Sequence, residues 1–277
     1  MSKTPTLPPA LHLFDLTGRT ALITGSSAGI GLALARGLLS AGARVILNGR
    51  QNDKLKQAGG ALRTEFSPNP KGEERVLYLA FDVTSSDAVD AAIDTLERQH
   101  GPIDILINNA GMTHRAPLDQ FPTEQWHQIM RTNLDSAFFV ARALARHMIP
   151  RGHGKIVNIC SVQSELGRPG IAPYAASKGG MKMLTKGMAI DWGKHGLQIN
   201  GLGPGYFKTD LTQALVADAT FSNWLVNRTP SGRWGQVEDL VGAAVFLSSR
   251  ASDFVNGHVL YVDGGVTATR SEEHTSE

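Results

Sequence analysis

Thr20-Ala21-Leu22-Ile23-Thr24-Gly25-Ser26-Ser27-Ala28-Gly29-Ile30-Gly31 is an apolar run that ends in a glycine-rich break. Ile30, Leu32, Leu34, Ala35, Leu38 and Leu39 then recur at helical spacing, so the stretch reads as strand, tight turn and amphipathic helix. The rhythm continues outward from it. Arg44–Asn48 reads as the next strand, and Asn52 caps a helix starting near Asp53. Further strands are expected at Val76–Phe81, Ile103–Asn108, Lys155–Ile159, Gln198–Leu202 and Val259–Val262, with helices at Thr123–Met148, Tyr174–Lys194 and Val237–Ser248 among them. The near-continuous apolar character of Ile103–Asn108 is that of a strand covered on both faces. Strands alternating with helices in this way, about seven of them, make an α/β fold: a single doubly wound parallel sheet with helices on both faces.

One domain accounts for residues 14–269. Residues 1–13 carry three prolines and no periodic pattern and read as a flexible extension. Ser67 to Arg75 reads as an exposed loop, and residues 270–277 have no apolar face and read as a translated sequencing-adapter remnant outside the fold. Hydrophobic residues at 42% and charged residues at 19% are those of a soluble globular chain. A formal net charge of +2, with Lys and Arg scattered, argues against a nucleic-acid surface. No signal peptide and no apolar run of membrane-spanning length stands out, so no membrane partner is expected and the cytoplasm is the expected compartment. Cys160 is the sole cysteine and has no base paired with it in sequence, so it reads as a small core residue. The nine histidines lack zinc-like spacing, and no metal site is expected.

Glycines between a strand end and a helix start let the backbone approach a pyrophosphate, which then faces the positive end of the helix dipole. Gly25-x-x-x-Gly29-Ile30-Gly31 departs from the strict Gly-x-Gly-x-x-Gly pattern, but the mechanism does not require that spacing. A Rossmann-type nucleotide site follows. The ribose is read about 20 residues further on, where the strand ends Asn48-Gly49-Arg50 without a carboxylate. Arg50 presents a fork of donors suited to a 2′-phosphate, so NADP is expected over NAD. Asp53 is the competing signal, and its place in the first turn of a helix explains it.

Tyr174 and Lys178 are four residues apart and project from one helix face. Bringing a phenol from about pH 10 to about pH 7 takes roughly 4 kcal/mol of preferential phenolate stabilisation. A lysine charge about 4.5 Å away, at an effective dielectric of about 20, contributes on the order of 3–4 kcal/mol. One charge nearly suffices on this reckoning, and the pair is a candidate acid/base.

Several motifs now stand in one order: Thr24-Gly25-x-x-x-Gly29-Ile30-Gly31, Asn108-Asn109-Ala110-Gly111, Ser161, Tyr174-x-x-x-Lys178 and Asn200-x-x-x-Pro204-Gly205. Through them the chain resembles the short-chain dehydrogenase/reductases over residues 14–268. The resemblance implies Ser161, Tyr174 and Lys178 as catalytic residues, with Asn133 as the fourth member. It implies Gly25, Ser27, Gly29 and Ile30 at the cofactor phosphates, Asp82 and Val83 at the adenine, and Asn109 with Ala110 and Gly111 near the ribose. Pro204, Gly205 and Thr209 would meet the nicotinamide and Lys178 its ribose, with Tyr174 also touching the cofactor. The family commonly forms dimers or tetramers, and a homotetramer is expected.

A finer resemblance, to the sugar-acid dehydrogenases of that family, rests on Leu47–Arg50, Ile159–Arg168, Pro204–Thr209 and Phe254–His258. It implies a small-molecule substrate, with D-gluconate and 5-keto-D-gluconate as the pair. A sugar acid needs a cation for its carboxylate and polar groups for its hydroxyls. Arg115 is the first candidate for the carboxylate, ahead of Arg168 and Lys208, while Gln163 and Glu165 follow Ser161 and are suited to hydroxyls. Residues 206–234 are long enough to form a lid. Two other readings stay open, a 3-oxoacyl thioester reductase and a non-catalytic dinucleotide-binding sensor.

Overall fold

The computed structural model describes residues 9–66 and 75–269. The expected loop at 67–74, the tail at 270–277 and most of the N-terminal extension lie outside these. The remainder of that extension differs from expectation. Pro9–Phe14 forms a 3-10 helix, and the Phe14 ring lies 6.5 Å from that of Phe246, so regular chain begins earlier than the prolines implied.

Seven parallel strands make one sheet in the order β3-β2-β1-β4-β5-β6-β7. They are β1 Thr20–Ile23, β2 Arg44–Gly49, β3 Val76–Ala80, β4 Ile105–Asn108, β5 Gly154–Ile159, β6 Leu197–Pro204 and β7 Val259–Val262. Their register aligns Leu22 with Ile46 on one side and Leu106 on the other. Side chains of a strand alternate between faces, and here both faces are buried. Ala21 and Ile23 pack with Leu34 and Leu38 of α1 (Gly29–Ser40) and Leu247 of α9 (Val241–Ser248). Leu22, Ile46 and Leu106 join Ile93 of α3 (Ser86–His100) and Leu144 of α5 (Ser136–Arg151) on the opposite face. α2 (Asn52–Phe66) covers the β2–β3 edge on the first of these faces, through Leu55 and Leu62.

The long helix expected from Thr123 is there but not uniform. α4 (Thr123–Met130) runs into a π-helical turn at Arg131–Asp135, which passes into α5. Such turns carry an extra residue and are frequent at functional sites, and this one holds Asn133. α6 (Ala172–Trp192) carries Tyr174 and Lys178 in its first two turns. After β6 the chain makes two short helices, α7 (Gln213–Ala217) and α8 (Ala219–Arg228), over the carboxyl ends of the strands. No helix among the described residues is long and apolar enough to cross a membrane.

Candidate active site

In an open parallel sheet, ligands bind outside the carboxyl ends of the strands where strand order reverses. Here that point lies between β1 and β4. A cavity of about 290 Å³ opens at this edge, lined by Gly29, Ile30, Gly31, Asn109, Gly111, Ser161, Tyr174, Lys178, Pro204, Gly205 and Thr209 among others. A roomier cleft of about 650 Å³ lies at the opposite edge, but its charges answer one another. Asp104 takes Arg19 at 3.1 Å and His153 at 3.0 Å, and Lys155 takes Asp253 at 2.8 Å.

The glycine turn is held from β4. Asn109 donates its side-chain amide to the carbonyls of Thr24 and Gly25, both at 2.9 Å, and the backbone N–H groups of Asn109 and Ala110 reach the Thr24 hydroxyl at 3.0 Å. Gly29 sits at φ +57°, where only glycine is at ease. A Cβ on Gly31 would stand 2.5 Å from the Asn109 amide and 2.6 Å from the Gly25 carbonyl. No side chain caps the start of α1, and its first turn carries no acid. The N–H groups and positive dipole end there are left for an external anion. Arg50, just beyond β2, is exposed and makes no ion pair with a described residue. Gly25, Ser27, Arg50, Asp82, Val83 and Ala110 do not line the 290 Å³ cavity. They lie further along the ends of β1 to β4, as an elongated dinucleotide requires. Asp82 already accepts from the Thr84 N–H at 2.9 Å and hydroxyl at 2.8 Å. These features fit a phosphate-bearing dinucleotide.

Ser161 follows β5, and its hydroxyl accepts from the Gln163 N–H at 3.1 Å and hydrogen-bonds with the Tyr174 phenol. Lys178 is buried and donates to the Ile159 carbonyl at 2.6 Å, with its Nζ 5.8 Å from the Tyr174 ring centre. Burial drives its pKa down to about 8. Burial also pushes the Tyr174 phenol above its ordinary value, outweighing the hydrogen bond from Ser161. The expectation that one lysine nearly suffices to form phenolate at neutral pH is therefore corrected. The same desolvation that concentrates the lysine field penalises both charged forms. Asn133 is fully buried, donating to the Met112 carbonyl at 2.9 Å and Ser177 hydroxyl at 3.0 Å and accepting from the Met112 N–H at 2.8 Å. A Cβ on Gly111 would lie 3.5 Å from Asn133 Oδ1 and 3.9 Å from Lys178 Nζ, so both atoms border one gap. Cys160 is buried, and burial lifts its thiol to about 11, consistent with a core role.

A smaller cavity of about 90 Å³ adjoins, sharing Ser161 and Tyr174 with the first. Arg115, Gln163 and Arg168 line it as the sequence led us to expect, with Tyr206 and Leu215 from the stretch read as a lid, and with Thr113 and Ile171, which the sequence reading missed. Tyr206 had a local signal, since it directly follows Pro204-Gly205. Thr113 and Ile171 come together only through the fold. Burial, then the charge of Arg168, hold Arg115 below the usual guanidinium value. Neither arginine has a carboxylate within salt-bridge distance among the described residues. Arg168 stacks over Phe221 of α8 at 4.3 Å, so the short helices close one side of the cavity. Glu165 is the misplaced candidate. Its carboxylate accepts from Tyr261 at 2.6 Å and pairs with Lys182, which turns it away from both cavities.

This geometry agrees with what comparison finds: the family described as short chain dehydrogenase matches residues 19–220. The chain belongs to that family. As a short-chain dehydrogenase it is an oxidoreductase acting on CH–OH groups. It is 62% identical over 257 residues to gluconate 5-dehydrogenase of Gluconobacter oxydans (strain 621H), covering 93% of this chain and 98% of that one. It is 50% identical over 254 residues to 5-keto-D-gluconate 5-reductase of Escherichia coli (strain K12), covering 92% and 97%. The crystal structure of a gluconate 5-dehydrogenase from Burkholderia cenocepacia J2315 in complex with NADP and tartrate superposes with a TM-score of 0.90 at 58% identity, covering 94% and 100%.

Proposed function

We propose that this short-chain dehydrogenase interconverts D-gluconate and 5-keto-D-gluconate with NADP. The observation that carries the reading is the Arg115–Arg168 pair. Two cations without an acidic partner among the described residues line the cavity that contains Ser161 and Tyr174. Holding like charges together is costly, and a substrate carboxylate offsets that cost through charge-assisted hydrogen bonds. The named relatives act on, or are solved with, molecules of this kind.

The residues divide the work. Gly25, Ser27, Gly29 and Ile30 hold the cofactor phosphates at the start of α1, and Arg50 the 2′-phosphate. Asp82 and Val83 border the adenine, Asn109, Ala110 and Gly111 the adjoining ribose, and Pro204, Gly205 and Thr209 the nicotinamide. When bound, the nicotinamide supplies or accepts the hydride. Ser161 donates a hydrogen bond to the substrate oxygen and fixes its carbon, Tyr174 gives that oxygen its proton, and Lys178 steadies the charge left on Tyr174. Asn133 and Lys178 border the gap through which a water returns the proton. Residues 14–269 act as one catalytic unit, cytoplasmic and homotetrameric. Trp126 and Phe138 on the α4–α5 helix and Met183 and Ile190 on α6 offer exposed apolar surface for assembly.

The assay of choice follows absorbance of NADPH, and separately NADH, with 5-keto-D-gluconate and an acetoacetyl thioester in parallel, on a preparation whose elution mass reports the oligomer. Turnover of the keto acid with NADPH by a tetramer is expected. Turnover of the thioester alone assigns the chain to acyl reduction, and a preference for NADH contradicts the role of Arg50.

A pH dependence follows from Tyr174 and Lys178. A phenol pKa above the ordinary value leaves Tyr174 protonated at neutral pH, the form that donates to a ketone. Lys178, at about 8, is charged below that pH and neutral above it. Reduction therefore holds its rate from pH 6 to about 8 and falls above, while gluconate oxidation, which needs phenolate, climbs into the alkaline range. Profiles of kcat in both directions check this. A reduction rate already declining between pH 6 and 7 contradicts it.

A further inference from the structure

The geometry points to Gln163 as the residue that recognises the substrate hydroxyl next to the reacting carbon, an assignment that rests on the sugar-acid reading above. Gln163 is 8% exposed, and its Nε2 donates to the Tyr206 hydroxyl at 3.3 Å. Its Oε1 is buried and has no hydrogen-bond partner among the described residues. Buried polar atoms in folded proteins are nearly always paired, so a buried acceptor on the wall of a ligand cavity marks the place of a donor that arrives with the ligand.

The position of Gln163 says which donor. Its backbone N–H is bonded to the Ser161 hydroxyl at 3.1 Å, which ties it to the reacting end of the cavity. Its amide is bonded to Tyr206, which lines the same small cavity as Arg115 and Arg168, and this ties it to the cationic end. Gln163 thus stands where the chain between ketone and carboxylate must pass. The hydroxyl on the carbon adjacent to the ketone, on the carboxylate side, donates to Oε1, and Tyr206 fixes the amide so that the oxygen faces it.

A substrate lacking the hydroxyl leaves Oε1 unpaired, whereas the hydroxylated substrate satisfies it. Sites built to bond a hydroxyl reject analogues without it more strongly than apolar pockets reject a change of shape. The test measures kcat/KM with NADPH for 5-keto-D-gluconate and for its 4-deoxy analogue, in the wild type and in Gln163→Met, which keeps the length of the side chain. The wild type is expected to favour the hydroxylated ketone by about 10- to 100-fold, the effect of leaving one buried acceptor unpaired. Gln163→Met is expected to lose that factor on 5-keto-D-gluconate, to change by less than about 3-fold on the deoxy ketone, and to melt close to the wild type, because removal of an unpaired buried acceptor offsets the lost bond to Tyr206.

Equal losses on both ketones reduce Gln163 to a structural role and overturn the assignment. So does a wild type that shows no preference, a comparison that needs no variant to fold. A wild type that turns over neither ketone overturns the sugar-acid reading itself, and the assignment with it.

Discussion

Tyr174→Phe is expected to lower turnover of 5-keto-D-gluconate by roughly 1,000-fold while leaving NADPH affinity within about 3-fold of wild type, in line with the 100- to 10,000-fold contribution of a positioned proton donor. The substitution deletes one oxygen from a ring that lines both cavities. It removes the hydrogen bond with Ser161 but leaves Lys178 on the Ile159 carbonyl, so the nucleotide side of the site keeps its shape. Transition-state stabilisation is lost without loss of ground-state binding, which appears as a fall in kcat with KM little changed. Single-turnover kinetics with a fluorescence titration of NADPH separates the two quantities. A variant with wild-type turnover assigns the proton to another group. An intact cellular function in the variant, despite lost turnover, is the signature of the sensor reading.

The fold was legible because the central strands are short, mostly apolar on both faces and followed by recognisable turns. Ala21, Leu22 and Ile23 are all buried, and no alternation had to be resolved between a wet face and a dry one. The candidate acid/base group was legible because Tyr174 and Lys178 share one helix, where spacing sets direction. Arg115, Gln163 and Arg168 were placed from their closeness in sequence to strand ends. What escaped the sequence was of two kinds. The π-helical turn at Asn133 adds a residue to a helix whose apolar pattern is otherwise unbroken, and no local composition announces it. Glu165 was drawn off by Tyr261 and Lys182, partners 96 and 17 residues away that only the packed β7 and α6 bring near. The balance of burial against the Lys178 charge was also out of reach, because a distance-based estimate contains no desolvation.

Arg115→Ala separates recognition from chemistry. One charge-assisted hydrogen bond contributes about 1.5–3 kcal/mol, so the variant is expected to lose about 10- to 100-fold in kcat/KM for 5-keto-D-gluconate, mostly through KM. Thermal stability should not fall, since Arg115 repels Arg168 and no described carboxylate depends on it. The central claim is that the two arginines bind the substrate carboxylate and so place the ketone before the hydroxyls of Ser161 and Tyr174. The most direct measurement compares wild type and Arg115→Ala on 5-keto-D-gluconate and on its neutral amide. A large loss on the acid and almost none on the amide is expected, so that the preference for the charged substrate collapses. An unchanged preference in a folded, active variant contradicts the claim.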